Sequence, residues 1–242
     1  MSKKVLLYSG GMDSWLIDKL WKPDIKLFIN LHSKYSDVEL ARLSKSDSNF
    51  EVVDFPLGRW ERNDAIIPLR NLYLVMVACN FTNSDSVDIC LGATHGDRSL
   101  DQSLNFASSA SDLLSYLYSP QHWIPEGKTV NVVMPYKEYT KTELLSEYLS
   151  NGGDIDYAFE SSFSCYNPVD NEPCWNCKPC QRKFISFLLN GYSFSETIKN
   201  RMLPQIESLV DQINNGDYNR GKENKEILQT VDILRGESYV RS

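Results

Sequence analysis

Lys3-Lys4-Val5-Leu6-Leu7-Tyr8-Ser9-Gly10-Gly11-Met12-Asp13-Ser14 is a short apolar strand that runs into a glycine pair and then into a helix start. The two glycines let backbone N–H groups turn toward an anion, and the first turn of the following helix adds its partial positive charge. Ser9 and Ser14 add hydroxyl donors for phosphate oxygens. Asp13 at such a place suits a divalent cation, Mg2+, bridging the phosphates. The loop lacks the Gly-Lys-Ser/Thr ending of a Walker A motif, so no lysine clamps a β/γ junction. A plain strand-to-helix turn would need the glycines but not both hydroxyls.

Outward from this loop the chain alternates between the two periodicities. Residues 13–21 read as a helix with Trp15, Leu16, Leu20 and Trp21 as its apolar positions. Strands are expected over 25–31, 50–55, 86–92 and 130–135, and helices over 36–44, 67–81 and 106–118. Strands separated by helices predict βαβ crossovers and a mainly parallel sheet, in which ligands sit past the carboxyl ends of the strands. The polar stretch 96–105 reads as a functional loop. Thr140-Lys141-Thr142-Glu143 has the capping-box spacing and opens a helix through Leu149, which Asn151-Gly152-Gly153 ends. A further helix is expected over 184–189. From 214 to 242, breaks such as Asn214-Asn215-Gly216-Asp217 and Arg235-Gly236 leave short helical stretches.

The 242 residues, 42% hydrophobic and 24% charged, suffice for one large α/β domain or one domain with a small appendage. No apolar run approaches the roughly 18 residues of a membrane span. Met1 to Tyr8 is too short in its apolar part for a signal peptide. A net charge of −7 argues against a broad electrostatic grip on nucleic acid.

Cys79 and Cys90 lie in apolar runs, whereas Cys165, Cys174, Cys177 and Cys180 are clustered with spacing x8, x2, x2. Without a secretory signal a metal site takes precedence over disulfides. Four thiolates at tetrahedral reach favour structural Zn2+ with no open position for a catalytic water, and an iron–sulfur cluster competes for the same ligands. Pro168, Pro173 and Pro179 stiffen the knuckles, and Lys178, Arg182 and Lys183 are expected to offset the thiolate charge. His32, His95 and His122 are the histidines, and none has a firm role from sequence.

The string Ser-Gly-Gly-Met-Asp-Ser at 9–14 resembles the pyrophosphate loop of N-type ATP pyrophosphatases, which cleave ATP between the α and β phosphates. With Pro68-Leu69-Arg70-Asn71, Leu91-Gly92 before Asp97, Met134-Pro135 before Thr140-Lys141, Ser164-Cys165-Tyr166 and the cysteine close, the chain resembles 7-cyano-7-deazaguanine synthases over roughly residues 3–188. The resemblance implies a Rossmann-like sheet of the adenine nucleotide alpha hydrolase type, with helices on both faces and a C-terminal zinc-binding helical segment. It implies residues 1–160 as the ATP-binding α/β domain, and 161–242 as the zinc segment and C-terminal helices packed on the same unit. It implies that 7-carboxy-7-deazaguanine is adenylated by ATP, converted by ammonia to the amide, and activated again to the nitrile.

The resemblance also implies roles for residues. Tyr8, Ser9, Gly10, Gly11, Met12, Asp13 and Ser14 are expected to hold ATP and Mg2+. Asp13, Ser14, Arg70 and Lys141 are expected to act on phosphate or carboxylate oxygens. Asp97 and, more weakly, Asp101 are expected to read the ring edge, with Phe163 and Tyr166 forming a flat slot. Ser9–Ser14, Gly92–Asp97 and Met134–Lys141 are expected to converge past the strand ends. Cys165, Cys174, Cys177 and Cys180 match the family's zinc pattern. The implied partners are a small 7-deazaguanine substrate and ammonia, in the cytoplasm, with no membrane or nucleic acid and with a homodimer left open.

The chain departs from the family in three places. Where the family has a Tyr-Gly-Gln-Arg-His-like stretch before a Glu, this chain has Leu31-His32-Ser33-Lys34-Tyr35, then Glu39. The loop after Asp97 is shorter and lacks a cysteine, and Lys183 stands in place of an arginine. A different 7-deazaguanine, an amide product, a macromolecular acceptor, a related tRNA-modifying adenylating enzyme and a non-enzymatic zinc-ribbon module remain alternative readings.

Overall fold

In the computed structural model, which describes residues 2–46, 49–170 and 172–236, the chain begins with β1 (Lys3–Leu7) and α1 (Met12–Trp21). It continues through β2 (Ile25–Asn30), α2 (Ser36–Ser46), β3 (Glu51–Asp54), α3 (Arg70–Cys79), β4 (Ser86–Cys90), α4 (Leu104–Leu117) and β5 (Thr129–Val133). The five strands form one sheet in the order β3-β2-β1-β4-β5, with every pairing parallel. Val5 and Leu6 are both fully buried, as are Ile89 and Cys90. Successive side chains on a strand point to opposite faces, so both faces of β1 and β4 are covered. The strand order reverses between β1 and β4, which places the topological switch point at the loop that follows β1.

The remaining elements are α5 (Lys141–Ser150), α6 (Ile155–Ser161), α7 (Lys178–Leu189), α8 (Glu196–Asn214) and α9 (Lys222–Arg235). Packing divides the chain into two units, Met1–Ala93 with Asp97–Lys137, and Thr94–Gly96 with Glu138–Ser242. The functional boundary drawn from sequence lies later, at 160/161. Helix α5 goes with the second unit because it packs on α7 and because Thr140, its N-cap, donates its hydroxyl to Glu226 of α9.

Local chemistry explains where elements differ from expectation. The helix expected over 67–81 starts at Arg70, because Ile67 precedes a proline and Leu69 adopts a left-handed conformation (φ 59°). The helix expected from Phe184 starts at Lys178, with Pro179 in its first turn, where a missing N–H costs nothing. Helix α8 was not expected; Ser195 caps it by accepting from the Ile198 N–H. Asn214–Asp217 and Gly236 mark the ends of α8 and α9, and between these breaks the chain forms one helix of 14 residues, α9, in place of short stretches. Residues 237–242 of the expected tail, and Met1, lie outside the described residues.

Candidate functional site

The loop after β1 brings two serine hydroxyls to the start of α1. Gly10 has φ 69°, and a Cβ on it would lie 2.4 Å from Leu43 Cδ2 on α2, so only glycine fits. Gly11 is the N-cap of α1. Ser9 Oγ and Ser14 Oγ are 3.3 Å apart, the Ser9 N–H donates to Ser14 Oγ, and the Gly11 N–H donates to Ser9 Oγ at 3.4 Å. Both hydroxyls and the first turn of α1 therefore lie at one place, and Asp13 sits in that turn. Tyr8 and Met12 are 2% and 1% exposed, so of the expected ATP-holding residues these two offer backbone rather than side chain.

Elsewhere in the same unit the expected residues have distinct surroundings. Arg70 is the exposed first residue of α3 and faces Glu39 of α2. Burial pushes the Glu39 carboxyl up to about 7, and the Arg70 charge opposes the shift. Asp101 meets the first turn of α3. Its carboxylate accepts from the Asn71 N–H at 3.3 Å and from the Ser99 hydroxyl, and its carbonyl accepts from Asn71 Nδ2 at 3.1 Å. A carboxylate is favoured there by the helix dipole. Asp97 is half-buried, and its carbonyl accepts from Lys137 Nζ at 2.6 Å.

A further cluster sits at the carboxyl ends of β2 and β3. His32 Nε2 and Asn30 Nδ2 both meet Asp54 Oδ1, at 2.9 and 2.8 Å, while His32 holds φ 51°. A left-handed φ is uncommon for a residue with a Cβ; the His32 ring bond to Asp54 and the His32 N–H bond to Asn30 Oδ1 offset the strain.

In the second unit the four expected thiols come together, all four sulfurs lying within 4.8 Å of one another. A tetrahedral Zn2+ with bonds of about 2.3 Å separates its sulfurs by about 3.8 Å, so the cluster fits the ion closely. Backbone N–H groups already point at the sulfurs. Cys174 N–H donates to Cys165 Sγ at 3.2 Å, and Tyr166 and Cys180 donate to Cys177. Cys177 is the N-cap of α7; its side-chain contact with Cys180, 3.5 Å between the sulfurs, holds its thiol down at about 5. The same contact and burial push the Cys180 thiol up.

Lys183 is 5% exposed and donates to the carbonyls of Phe159 (2.7 Å) and Ser162 (2.5 Å), the C-terminal end of α6. Burial brings its ammonium down to about 7, and Cys180 opposes this. Arg182 pairs with Glu223, a buried carboxylate that α9 brings to it. Phe163 is half-buried and the Tyr166 side chain is exposed. Lys141 opens α5 behind a complete capping box between Thr140 and Glu143, and lines a cavity of about 490 Å3 with Arg182, Arg220 and Glu223. Sequence reasoning missed Lys137, Arg220 and Glu223, none of which stands in a motif.

Among the described residues no helix is long and apolar enough to cross a membrane. The chain is similar to the 7-cyano-7-deazaguanine synthase of Alteromonas mediterranea, 25% identical over 219 residues that span 77% of this chain and 94% of that protein. It is likewise similar to 7-cyano-7-deazaguanine synthase 1 of Colwellia psychrerythraea, 25% identical over 220 residues, 78% of this chain and 95% of that protein. The corresponding synthase of Pseudoalteromonas translucida is 23% identical over 220 residues. Residues 39–191, more than half of the chain, match the family described as queuosine biosynthesis protein QueC, and the chain belongs to that family.

Proposed function

We propose that this chain converts 7-carboxy-7-deazaguanine and ammonia to 7-cyano-7-deazaguanine at the expense of ATP. The observation that carries the reading is the Ser9–Ser14 hydroxyl pair set at the start of α1, at the switch point of a parallel sheet. In the first step a carboxylate oxygen attacks the α-phosphorus and pyrophosphate leaves. Ser9 Oγ, Ser14 Oγ and the loop N–H groups hold the leaving oxygens, where hydrogen bonds to developing charge lower the barrier. Asp13 is the residue to hold Mg2+, which would neutralise the phosphates. Ammonia then attacks the acyl carbon and AMP departs, leaving the amide. In the second round the amide oxygen attacks the α-phosphorus of another ATP, and loss of AMP and protons leaves the nitrile.

Arg70 and Lys141 are assigned to oxyanion contacts, Asp97 to the ring's N–H groups, and Phe163 and Tyr166 to its flat faces. Zn2+ on Cys165, Cys174, Cys177 and Cys180 is structural in this reading, since four thiolates leave no position for a reacting water.

Pure protein incubated with ATP, ammonium and 7-carboxy-7-deazaguanine should yield the nitrile mass together with AMP. Asp13→Ala and Ser14→Ala should abolish AMP release while circular dichroism is unchanged. An amide mass would move the end point one step earlier, and no consumption of the carboxylate by wild type would reject the substrate. AMP release undiminished in both variants would reject the loop's role.

A further inference from the structure

Helices α8 and α9 lie beyond residue 191, where the family match ends. They nonetheless build a feature with α7: the cavity of about 490 Å3, within the roughly 300–1,000 Å3 range of small-molecule pockets. Its charge balance is uneven. Arg182 and Arg220 share one carboxylate, Glu223, whose side chain is 7% exposed. Arg182 Nη2 is 2.5 Å from Glu223 Oε1, and Arg220 Nη1 is 3.6 Å from Oε2.

Arg220 is held from two further sides. Its Nη1 donates to the Gly96 carbonyl at 3.0 Å, and its guanidinium lies 5.7 Å from the Tyr218 ring centroid. Its buried Nε has no hydrogen-bond partner among the described residues. Lys178 adds a further cation to the wall. The other acid there, Glu226, accepts from Thr140, and burial pushes its carboxyl toward the neutral form. Two guanidiniums on one buried carboxylate leave a positive surplus in a site of low dielectric, which an anion offsets strongly. Beside that surplus Ile185, Leu209 and Ile227 present an apolar wall.

We propose that the α7–α8–α9 cavity is a binding site for a small organic anion, with a phosphate or carboxylate head on the Arg220 side and a flat apolar ring against the α7–α8 wall. Guanidinium suits both heads by its forked donors. The site belongs to the C-terminal helices, and its existence does not depend on the ATP chemistry proposed for the loop after β1.

The test is titration calorimetry on the full-length, zinc-loaded chain with four probes. AMP supplies the phosphate arm and indole-3-carboxylate the carboxylate arm. Inorganic phosphate is the head alone and indole the ring alone. At least one ring-bearing anion should bind about tenfold or more tightly than either fragment. Arg220→Met should weaken that binding by about tenfold or more, Arg220→Lys should weaken it less, and Ser14→Ala should leave it unchanged. Ser208→Trp, an exposed position on the cavity wall, should also block binding without altering charge, and it carries the test by itself should Arg220→Met fail to fold. The proposal is overturned by absence of binding for both ring-bearing anions, or by a fragment binding equally well. It is also overturned by affinity that survives Ser208→Trp or a folded Arg220→Met, or that is lost in Ser14→Ala.

Discussion

At Gly10 two constraints coincide, a left-handed backbone and the Leu43 side chain lying where a Cβ would go. Gly10→Ala should therefore lower stability by about 1–2 kcal/mol and also disturb the loop to which ATP binding is assigned above. Thermal melting should report the first effect, and loss of ATP-dependent AMP release the second. Glu39 is governed by its surroundings in another way. Burial raises its carboxyl from 4.5 to about 7 despite Arg70, so the fold favours the protonated form. The stability this contributes is complete below 4.5 and is lost as the pH rises through 7. Glu39→Gln should match wild type near pH 4 and exceed it by about 1–2 kcal/mol near pH 8, the figure being reduced for partial exposure. Urea denaturation at the two pH values measures the difference; a constant offset between the two proteins would refute the assignment.

Helix α5 shows how one residue can serve its own element and another. Thr140 caps α5 by accepting from the Glu143 N–H at 3.1 Å, while Glu143 accepts from the Thr140 N–H at 2.8 Å. The same threonine donates its hydroxyl to Glu226 on α9, and Lys222 of α9 reaches back to Glu143 at 3.2 Å. Thr140→Ala removes a cap and leaves Glu226 short of a donor, so it should cost about 1–2 kcal/mol, more than an isolated cap of the peptide type. Thr140→Ser should recover most of the loss in denaturant melts. Helix α7 is similarly shared: its N-cap is a zinc-ligand candidate, and its Lys183 ties down the end of α6.

At the scale of the molecule, the sheet unit has a continuous apolar core through Val5, Leu27, Val87, Ile89 and Val130. The helical unit has an aromatic cluster in which Phe159 meets Trp175, Phe187, Tyr192 and Phe194. Trp175 lies between Cys174 and Cys177, so the cysteine cluster and this aromatic core share a segment. Elemental analysis should find one zinc per chain. Chelation should lower the melting temperature by about 10 °C or more, since a few kcal/mol of metal binding acts directly on folding. Visible absorption of the iron–sulfur type, or unchanged melting after chelation, would contradict a structural zinc.

The strand–glycine–helix turn at Ser9–Ser14, the cysteine cluster, the capping box and the parallel sheet could all be read before any coordinates, because each is written in contiguous residues or in a short period. Ser9 and Ser14 need only a strand, two glycines and a helix start to meet, and Cys177 and Cys180 need only the first turn of α7. The third dimension supplied the rest. Arg220 reaches a carbonyl 124 residues away, Arg182 a carboxylate 41 residues away, and Asp101 a helix start 30 residues away. Such pairings carry no local signal, because they depend on which helices pack together. Protonation follows the same rule: Glu39 and Lys183 are ordinary charged residues in the sequence, and their shifted carboxyl and ammonium arise from the neighbours that exclude water around them.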